Sequence, residues 1–307
     1  MSARDLGASV RQRLLNRSRA SERPFQELLQ YYAMERFLYR LGKSSFANRF
    51  VLKGALLLTA WRAPISRPTV DIDLLGRTSN ELVHIQSVIT EVCRVAAEPD
   101  GIEFNVRSLQ VTRIREDADY EGVRAKFNAV LAGAQIPMQI DIGFGDVIVP
   151  LPIVIEYPTL LEFPAPVLTA YPKETVVAEK LEALTSLGLL NSRLKDYYDL
   201  ALLSRIFPFE GQLLVDAIRA TFRHRGTTVE PEPMGLTDGF YSDPARAIQW
   251  RGFLRRSRLS DTGTELNALG EEIRRFAVPA LSAAASNAPF SEAWSPGGSW
   301  NEMASRT

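Results

Sequence analysis

The sequence is poor in cysteine and histidine, with one cysteine and two histidines among 307 residues. A single cysteine excludes an intrachain disulfide framework, and so few cysteines and histidines argue against a zinc site. Long apolar runs are also missing: no stretch approaches the length that crosses a bilayer, and the N-terminal segment MSARDLGASVRQRLL lacks the apolar core of a signal peptide. We therefore predict a cytoplasmic protein that does not contact membranes.

The chain also lacks net charge, because 36 basic residues balance 36 acidic ones. This balance argues against a uniformly basic surface but conceals an uneven distribution. Residues 1–53 contain eleven basic and four acidic side chains, and a second basic cluster consists of Arg251, Arg255, Arg256 and Arg258. Any single arginine is most simply a solvated helix residue. Together the two clusters would suit an extended polyanion, because each neutralised phosphate adds affinity through counterion release.

The length and a hydrophobic content of 46% are sufficient for two cores. Between Pro150 and Pro172, six prolines interrupt any helix and mark a crossing between domains. The pattern before this segment mixes helices and strands, and the pattern after it is helical. We predict an α+β protein with domains at residues 1–165 and 166–307, the second ending in a loosely structured tail whose tryptophans dock on the domain.

The segment RPTVDIDLL is the most informative stretch of the first domain. Val70, Ile72 and Leu74 alternate with Asp71 and Asp73, so a strand would place the apolar side chains on one face and both carboxylates on the other. For an isolated pair of this kind, a solvated edge strand is the simpler interpretation. Two neighbouring carboxylates repel each other unless water or a cation separates them, and Mg²⁺ is a suitable cation.

A second alternating segment, IPMQIDIGFGD, adds a third carboxylate. Its pattern places Asp141 on the face opposite the four apolar side chains of Ile136, Met138, Ile140 and Ile142. A third isolated carboxylate on a strand favours the metal-binding interpretation of the first two.

Lys53 and Gly54 lie between the short apolar strand RFVL and a predicted helix, ALLLTAW. Backbone N–H groups at such a junction can bind a phosphate, so we predict a phosphate contact there.

A lysine interrupts the apolar stripe of the predicted helix PKETVVAEKLEALTSLG. Lys180 is four residues from both Val176 and Leu184, so it points inward and needs an anion. It could extend its amine to solvent or pair with a core carboxylate, or it could reach a triphosphate near the carboxylates of the first domain. The following helix, NSRLKDYYDL, supplies Asp196, which could orient Lys180 through an ion pair, and Arg193, which we assign to phosphate binding.

Five segments in this order resemble the AbiEii family of nucleotidyltransferase toxins, which includes the MenT toxins of mycobacteria. They are KGALLL, RPTVDIDLL, MQIDIGFGD, YPKETVVAEKLEAL and SRLKDYYDL, and the resemblance covers roughly residues 25–207. It implies a polymerase-β-like fold with a helical C-terminal domain. It also implies transfer of nucleotides from an NTP, often a pyrimidine, to the 3′ acceptor end of tRNA, which blocks aminoacylation. A cognate antitoxin is implied as the inhibitor.

The resemblance assigns roles to particular residues. The family's metal-binding pair falls on Asp71 and Asp73, its third carboxylate on Asp141, its active-site lysine on Lys180 and the acidic residue of its last motif on Asp196.

The first motif departs from the usual pattern. Nucleotidyltransferases usually carry Gly-Ser there, whereas this chain has Gly54 followed by Ala55. Thr69 could supply a hydroxyl nearby, and in some relatives that position is a regulatory serine.

These roles lead to a hypothesis of in-line nucleotidyl transfer with Mg²⁺ or Mn²⁺. Asp71 and Asp73 hold two ions, and Asp141 shares one of them and serves as a candidate general base. Lys180 and Lys53 neutralise charge on the phosphates.

Three alternatives remain open from the sequence. The acceptor could be a protein or a small molecule, since the skewed basic charge favours RNA only weakly. The chain could be a two-metal hydrolase, although the inward Lys180 argues against this. It could also be a catalytically inactive module that binds a nucleotide or a partner, although retention of three mutually repelling carboxylates argues against that.

Overall fold

A seven-stranded mixed sheet organises the first of two compact units. The computed structural model describes residues 3–63, 67–117, 120–259 and 264–302, and the first unit comprises Met1–Gly145 and Ile153–Ala170. Its strands are β1 (Phe50–Lys53), β2 (Ile72–Gly76), β3 (Ile102–Asp117), β4 (Tyr120–Leu131), β5 (Ala134–Phe144), β6 (Ile153–Glu156) and β7 (Val167–Ala170).

The strand order in this sheet is β3-β4-β5-β2-β1-β7-β6. The β2–β5 and β1–β7 pairs are parallel, and the other neighbours are antiparallel. The helices of the unit are α1 (Ala3–Ser21), α2 (Phe25–Lys43), α3 (Leu56–Ala60) and α4 (Leu82–Arg94). The predicted α+β class, with a mixed sheet and flanking helices, is confirmed.

Apolar side chains that alternate along the central strands form the core on one face of this sheet. Ile136, Met138, Ile140 and Ile142 of β5 are all buried, as predicted. The prediction for Val70 is wrong, because β2 begins only at Ile72 and the Val70 side chain is 66% exposed. Strand alternation does not extend to a residue that lies before the strand.

Charged side chains of α2 enter the core because they have partners there. Arg36 and Arg40 both bind the carboxylate of Asp100, at 3.0 Å and 2.7 Å. Glu35 accepts a hydrogen bond from the backbone N–H of Leu160 at 2.7 Å. Burial raises the pKa of Glu35 from its ordinary value of 4.5 to about 7.

Glu35 is therefore expected to make stability depend on pH. A carboxyl whose pKa is raised by folding stabilises the fold while it is protonated, so its contribution is complete below about pH 4.5 and is lost as the pH rises through about 7. The free energy of unfolding should fall across this window by at most about 1.4 kcal/mol per pH unit. Urea unfolding of the wild type and Glu35→Gln at pH 5 and pH 8 measures this, and identical pH dependences of the two proteins would contradict it.

The second unit comprises Asp146–Pro152 and Tyr171–Thr307 and is mainly helical. Its helices are α5 (Lys173–Leu187), α6 (Leu194–Ile206), α7 (Gly211–Arg225), α8 (Asp238–Tyr241), α9 (Pro244–Arg256) and α10 (Leu266–Ser286). A domain boundary after residue 165 stays a prediction from the sequence.

The segment predicted to be a loose tail contains β9 (Glu292–Trp294) and β10 (Trp300–Glu302). These strands form a small sheet with β8 (Phe209–Glu210). The indole N–H of Trp294 donates to the backbone carbonyl of Ser204 at 2.7 Å, and the indole of Trp300 donates to that of Phe276 at 2.9 Å. Both tryptophans therefore dock on the helices, and these contacts order residues that show little helical or strand periodicity.

Candidate active site

Three carboxylates converge at the centre of the seven-stranded sheet. The parallel register of β2 and β5 pairs Asp73 with Asp141, so both side chains emerge on the same face. Asp71 lies in the bend that precedes β2. One oxygen from each of these aspartates lies within 4.8 Å of the others. The structure therefore brings together the three residues that the sequence assigned to a metal.

The chemistry of this donor set fits a hard divalent cation. Carboxylate oxygens are the ligands that Mg²⁺ and Mn²⁺ prefer, and three of them from rigid or semi-rigid backbone need little reorganisation to bind one ion. Asp141 is buried, and Asp71 and Asp73 are half-buried. Two of the three carboxylates are therefore partly exposed to solvent.

Arg124 is a member of this cluster that sequence reasoning missed. It is the direct register partner of Asp141 on the neighbouring strand β4. Its Nε and Nη2 atoms donate to Oδ1 and Oδ2 of Asp141, each at 2.7 Å. The hydrogen bonds that Arg124 donates to Asp141 raise the pKa of Arg124, and the charges of Asp71 and Asp73 raise it further. Its alternation with buried Val123 and Ala125 indicates the polar face of a strand but not the pairing with Asp141.

The bend before β2 is held from two sides. The hydroxyl of Thr69 donates to Oδ1 of Asp71, and its backbone N–H donates to the hydroxyl of Tyr31 at 3.2 Å. The amide of Gln30 donates to the backbone carbonyls of Val70 at 3.3 Å and of Pro137 on β5 at 2.7 Å. These contacts from α2 fix the position of Asp71 relative to β5.

Gly54 makes room for Asp73. Its φ is +73°, and a Cβ added there would lie 1.9 Å from Oδ2 of Asp73. Lys53 is the register partner of Asp73, and its side chain is buried. The following helix, α3, has only five residues, which is too short to form an anion site by its own dipole. Phosphate binding by Lys53 and Gly54 stays a prediction, while the close approach of Gly54 to Asp73 is a feature of the fold.

Gly54→Ala is expected to damage both the fold and the carboxylate cluster. The positive φ costs an alanine roughly 1–2 kcal/mol, and the new methyl group forces the Asp73 side chain to rotate. Chemical unfolding measures the first effect, and titration of Mn²⁺ into the protein measures the second. Gly133→Ala is a matched control, because Gly133 also has a positive φ of +80°, but apart from its two chain neighbours no described residue has an atom within 4 Å of the place its methyl group would take. Equal Mn²⁺ affinities for the two variants would contradict the role of Gly54.

The predicted inward lysine of the second unit pairs with two carboxylates. The Lys180 amine lies 2.8 Å from Oδ1 of Asp196 and 2.8 Å from Oδ2 of Asp199, and both carboxylates are buried. The ion pair with Asp196 was one of the predicted alternatives, and Asp199 is an additional partner. Arg193 lies immediately before α6, the helix that carries both aspartates. Its backbone carbonyl accepts a hydrogen bond from the N–H of Asp196 at 2.9 Å.

The predicted RNA-binding arginines lie on and just after α9. Arg251, Arg255, Arg256 and Arg258 are exposed, and the first two line a cavity of about 520 Å³ together with Trp250. Exposure of all four is compatible with binding a polyanion, which stays a prediction.

A membrane span is not found: within the described ranges, no helix combines the length and apolar character needed to cross a bilayer.

Known proteins provide one family match and two aligned structures. The model of the family described as nucleotidyl transferase AbiEii toxin, type IV toxin–antitoxin system, matches residues 36–278. A comparison with curated proteins gave no match. Two solved structures from Helicobacter pylori align with the chain.

The first of these is described as a candidate nucleotidyltransferase and has 14% identity, 85% coverage of this chain, 96% coverage of its own and a TM-score of 0.46. The second, JHP933, has 16% identity, 85% and 93% coverage and a TM-score of 0.48. The family assignment does not depend on these two alignments. Because the family model spans most of the sequence, from the last turns of α2 into α10, this chain belongs to the AbiEii family of nucleotidyltransferase toxins of type IV toxin–antitoxin systems.

Proposed function

We propose that this protein is a Mg²⁺-dependent nucleotidyltransferase toxin that transfers nucleotides from an NTP, with a pyrimidine expected, to the 3′ acceptor end of tRNA. The observation that supports it most is the convergence of Asp71, Asp73 and Asp141 in a protein of this family. Modification of the acceptor end would block aminoacylation and growth. A cognate antitoxin is the proposed protein partner, and the cytoplasm is the proposed location.

The proposed reaction is an in-line displacement. The 3′ hydroxyl oxygen attacks the α-phosphorus of the NTP, the bond to the pyrophosphate oxygen breaks, and the hydroxyl proton leaves to a base or to water. When bound, a divalent cation supplies positive charge to the phosphates and makes the attacking hydroxyl more acidic. Asp71 and Asp73 are the proposed ligands, and Asp141 completes the set.

Asp141 is the proposed third ligand and also the candidate general base. Both of its oxygens accept N–H groups from Arg124, and Oδ2 also accepts from Gln139 at 3.2 Å. Oδ1 accepts one of these bonds and keeps a second lone pair for a cation, whereas Oδ2 already accepts two.

Positively charged side chains are the proposed phosphate contacts. Lys53 and Arg193 are assigned to the triphosphate, and the family's active-site lysine falls on Lys180, whose amine would neutralise the leaving pyrophosphate. Thr69 holds Asp71 through its hydroxyl and is the proposed regulatory position. A phosphate on that oxygen would repel the carboxylate that it now binds. The basic N-terminal helices and the arginines of α9 are the proposed tRNA contacts.

The test is incubation of purified protein with total tRNA, Mg²⁺ and each α-labelled NTP in turn. Label on the tRNA with one NTP supports the proposal, and tRNA whose 3′ diol has been oxidised by periodate is the matched substrate control. Label on oxidised tRNA would contradict attack by the 3′ hydroxyl. Consumption of NTP without labelled RNA would instead indicate a protein or small-molecule acceptor, and no turnover of any NTP would contradict the enzyme.

A further inference from the structure

Arg124 and Asp141 form a two-point contact at the edge of the carboxylate cluster. Nε and Nη2 of the guanidinium meet Oδ1 and Oδ2 of the carboxylate at 2.7 Å each, which is the parallel geometry in which arginine binds carboxylates most strongly. The two residues are register partners on adjacent antiparallel strands, so the backbone holds them opposite each other. The contact is therefore built into the sheet and does not depend on a flexible loop.

The same contact places a positive charge where a cation would bind. The oxygens that Asp141 offers to the cluster are the oxygens that Arg124 engages. The charge of Arg124 also interacts favourably with Asp71 and Asp73. Three carboxylates and one guanidinium give the cluster a formal charge that one divalent ion balances, so a second ion would meet no net attraction until an anionic ligand adds negative charge.

The Arg124 side chain is more exposed than the carboxylate it holds. Its exposed fraction is 33%, against 9% for the Asp141 side chain. A partly solvated guanidinium can leave the carboxylate at modest cost, because water replaces the lost hydrogen bonds. The arginine is thus able to move when another cation or an anionic ligand enters.

We propose that Arg124 competes with the divalent cation for Asp141, so that the substrate-free protein binds the cation weakly and binds it better once nucleotide phosphates are present. The triphosphate supplies negative charge that offsets the guanidinium, which couples cation binding to substrate binding. Arg124 is then a positioning residue that acts through Asp141. This inference rests on the proposed function for the identity of the site but not on tRNA as the acceptor.

The test is the affinity of the full-length protein for Mn²⁺, measured by calorimetry and by the Mn²⁺ paramagnetic resonance signal, without NTP or RNA. Arg124→Met should bind Mn²⁺ at least about tenfold more tightly than the wild type, because it removes a nearby positive charge. Arg124→Lys, which keeps the charge but loses the two-point contact, should fall between them. A purely structural role of Arg124 would instead weaken Mn²⁺ binding or leave it unchanged.

Two controls make the result specific. Lys126→Met removes a positive charge from the same face of β4, where Lys126 pairs with Gln139 instead of Asp141, and should change Mn²⁺ affinity little. Asp71→Asn should lose Mn²⁺ binding, which shows that the measured ion occupies the cluster. Adding guanidinium ion at low concentration to Arg124→Met should return the affinity toward that of the wild type.

The outcomes are distinct from those of the transferase assay. Tighter binding by Arg124→Met, with intermediate binding by Arg124→Lys, supports the proposal even if tRNA is not the acceptor. Equal or weaker binding by a folded Arg124→Met overturns it. If Arg124→Met does not fold, the comparison of wild type with Arg124→Lys decides: tighter binding by the lysine variant supports competition, and equal or weaker binding overturns it.

Discussion

Asp71→Asn is expected to lower the rate of nucleotide transfer by roughly 10²-fold or more, as removal of one preorganised electrostatic group does in other enzymes. Asparagine has the same shape and its amide oxygen still accepts the Thr69 hydroxyl, so the bend before β2 is retained. The decrease in transfer rate then measures the effect of the missing negative charge. Initial rates of label incorporation from the preferred NTP measure the effect, beside thermal unfolding to show that the fold is intact.

The matched control is Asp238→Asn, the same chemical change at a side chain that is 80% exposed and pairs with Arg274 on the surface. Its transfer rate should equal that of the wild type. If Asp71→Asn transferred nucleotides as fast as this control, the carboxylate cluster would not be the reaction centre.

Lys180→Met is expected to lower the free energy of unfolding by about 3–5 kcal/mol, because it removes a cation that is paired with two buried carboxylates. The Lys180 amine lies 2.8 Å from an oxygen of Asp196 and of Asp199, whose side chains are only 9% and 3% exposed. Methionine has a similar volume, so the loss is electrostatic and not a loss of packing. Urea unfolding at pH 7 measures it.

The triple variant Lys180→Met/Asp196→Asn/Asp199→Asn separates stability from chemistry. It also removes the two carboxylate charges that Lys180 neutralises and should recover much of the lost stability. If Lys180 also contacts phosphates, the triple variant will be folded but deficient in transfer. Wild-type stability of the single variant would show that the ion pairs contribute little, and full activity of the triple variant would contradict the proposed phosphate contact.

The alternating strands were predictable because burial on one face imposes a period of two. The segments around Asp73 and Asp141 show that period, and the structure places both residues as the pattern indicates. The pattern could not give the parallel register that sets Asp73 beside Asp141, since register depends on which strands become neighbours in the sheet. The resemblance to the family, through the order of its motifs, indicated indirectly that these two strands are neighbours.

Residues outside this periodicity were predicted poorly. Val70 fits the alternating pattern of the sequence, but it lies before the first residue of β2, and its side chain is exposed. Arg124 has the pattern of a solvated strand residue, and only its pairing with Asp141 reveals its place in the cluster. Helix spacing predicted that Lys180 points inward and left solvent, a core carboxylate and a triphosphate open as its partners, but it could not show that two carboxylates bind it together.

The path of the chain between the two units affects the order in which the protein can assemble on the ribosome. The chain leaves the first unit after Gly145, returns at Ile153, and only then supplies β6 and β7. Until Ala170 has been synthesised and has emerged, β1 can pair with β2 but lacks its parallel neighbour β7, and the open edge of an apolar strand is a template for aggregation. Nascent chains that stop before β7 should therefore depend on chaperones, and a stable fragment of the first unit must extend through Ala170.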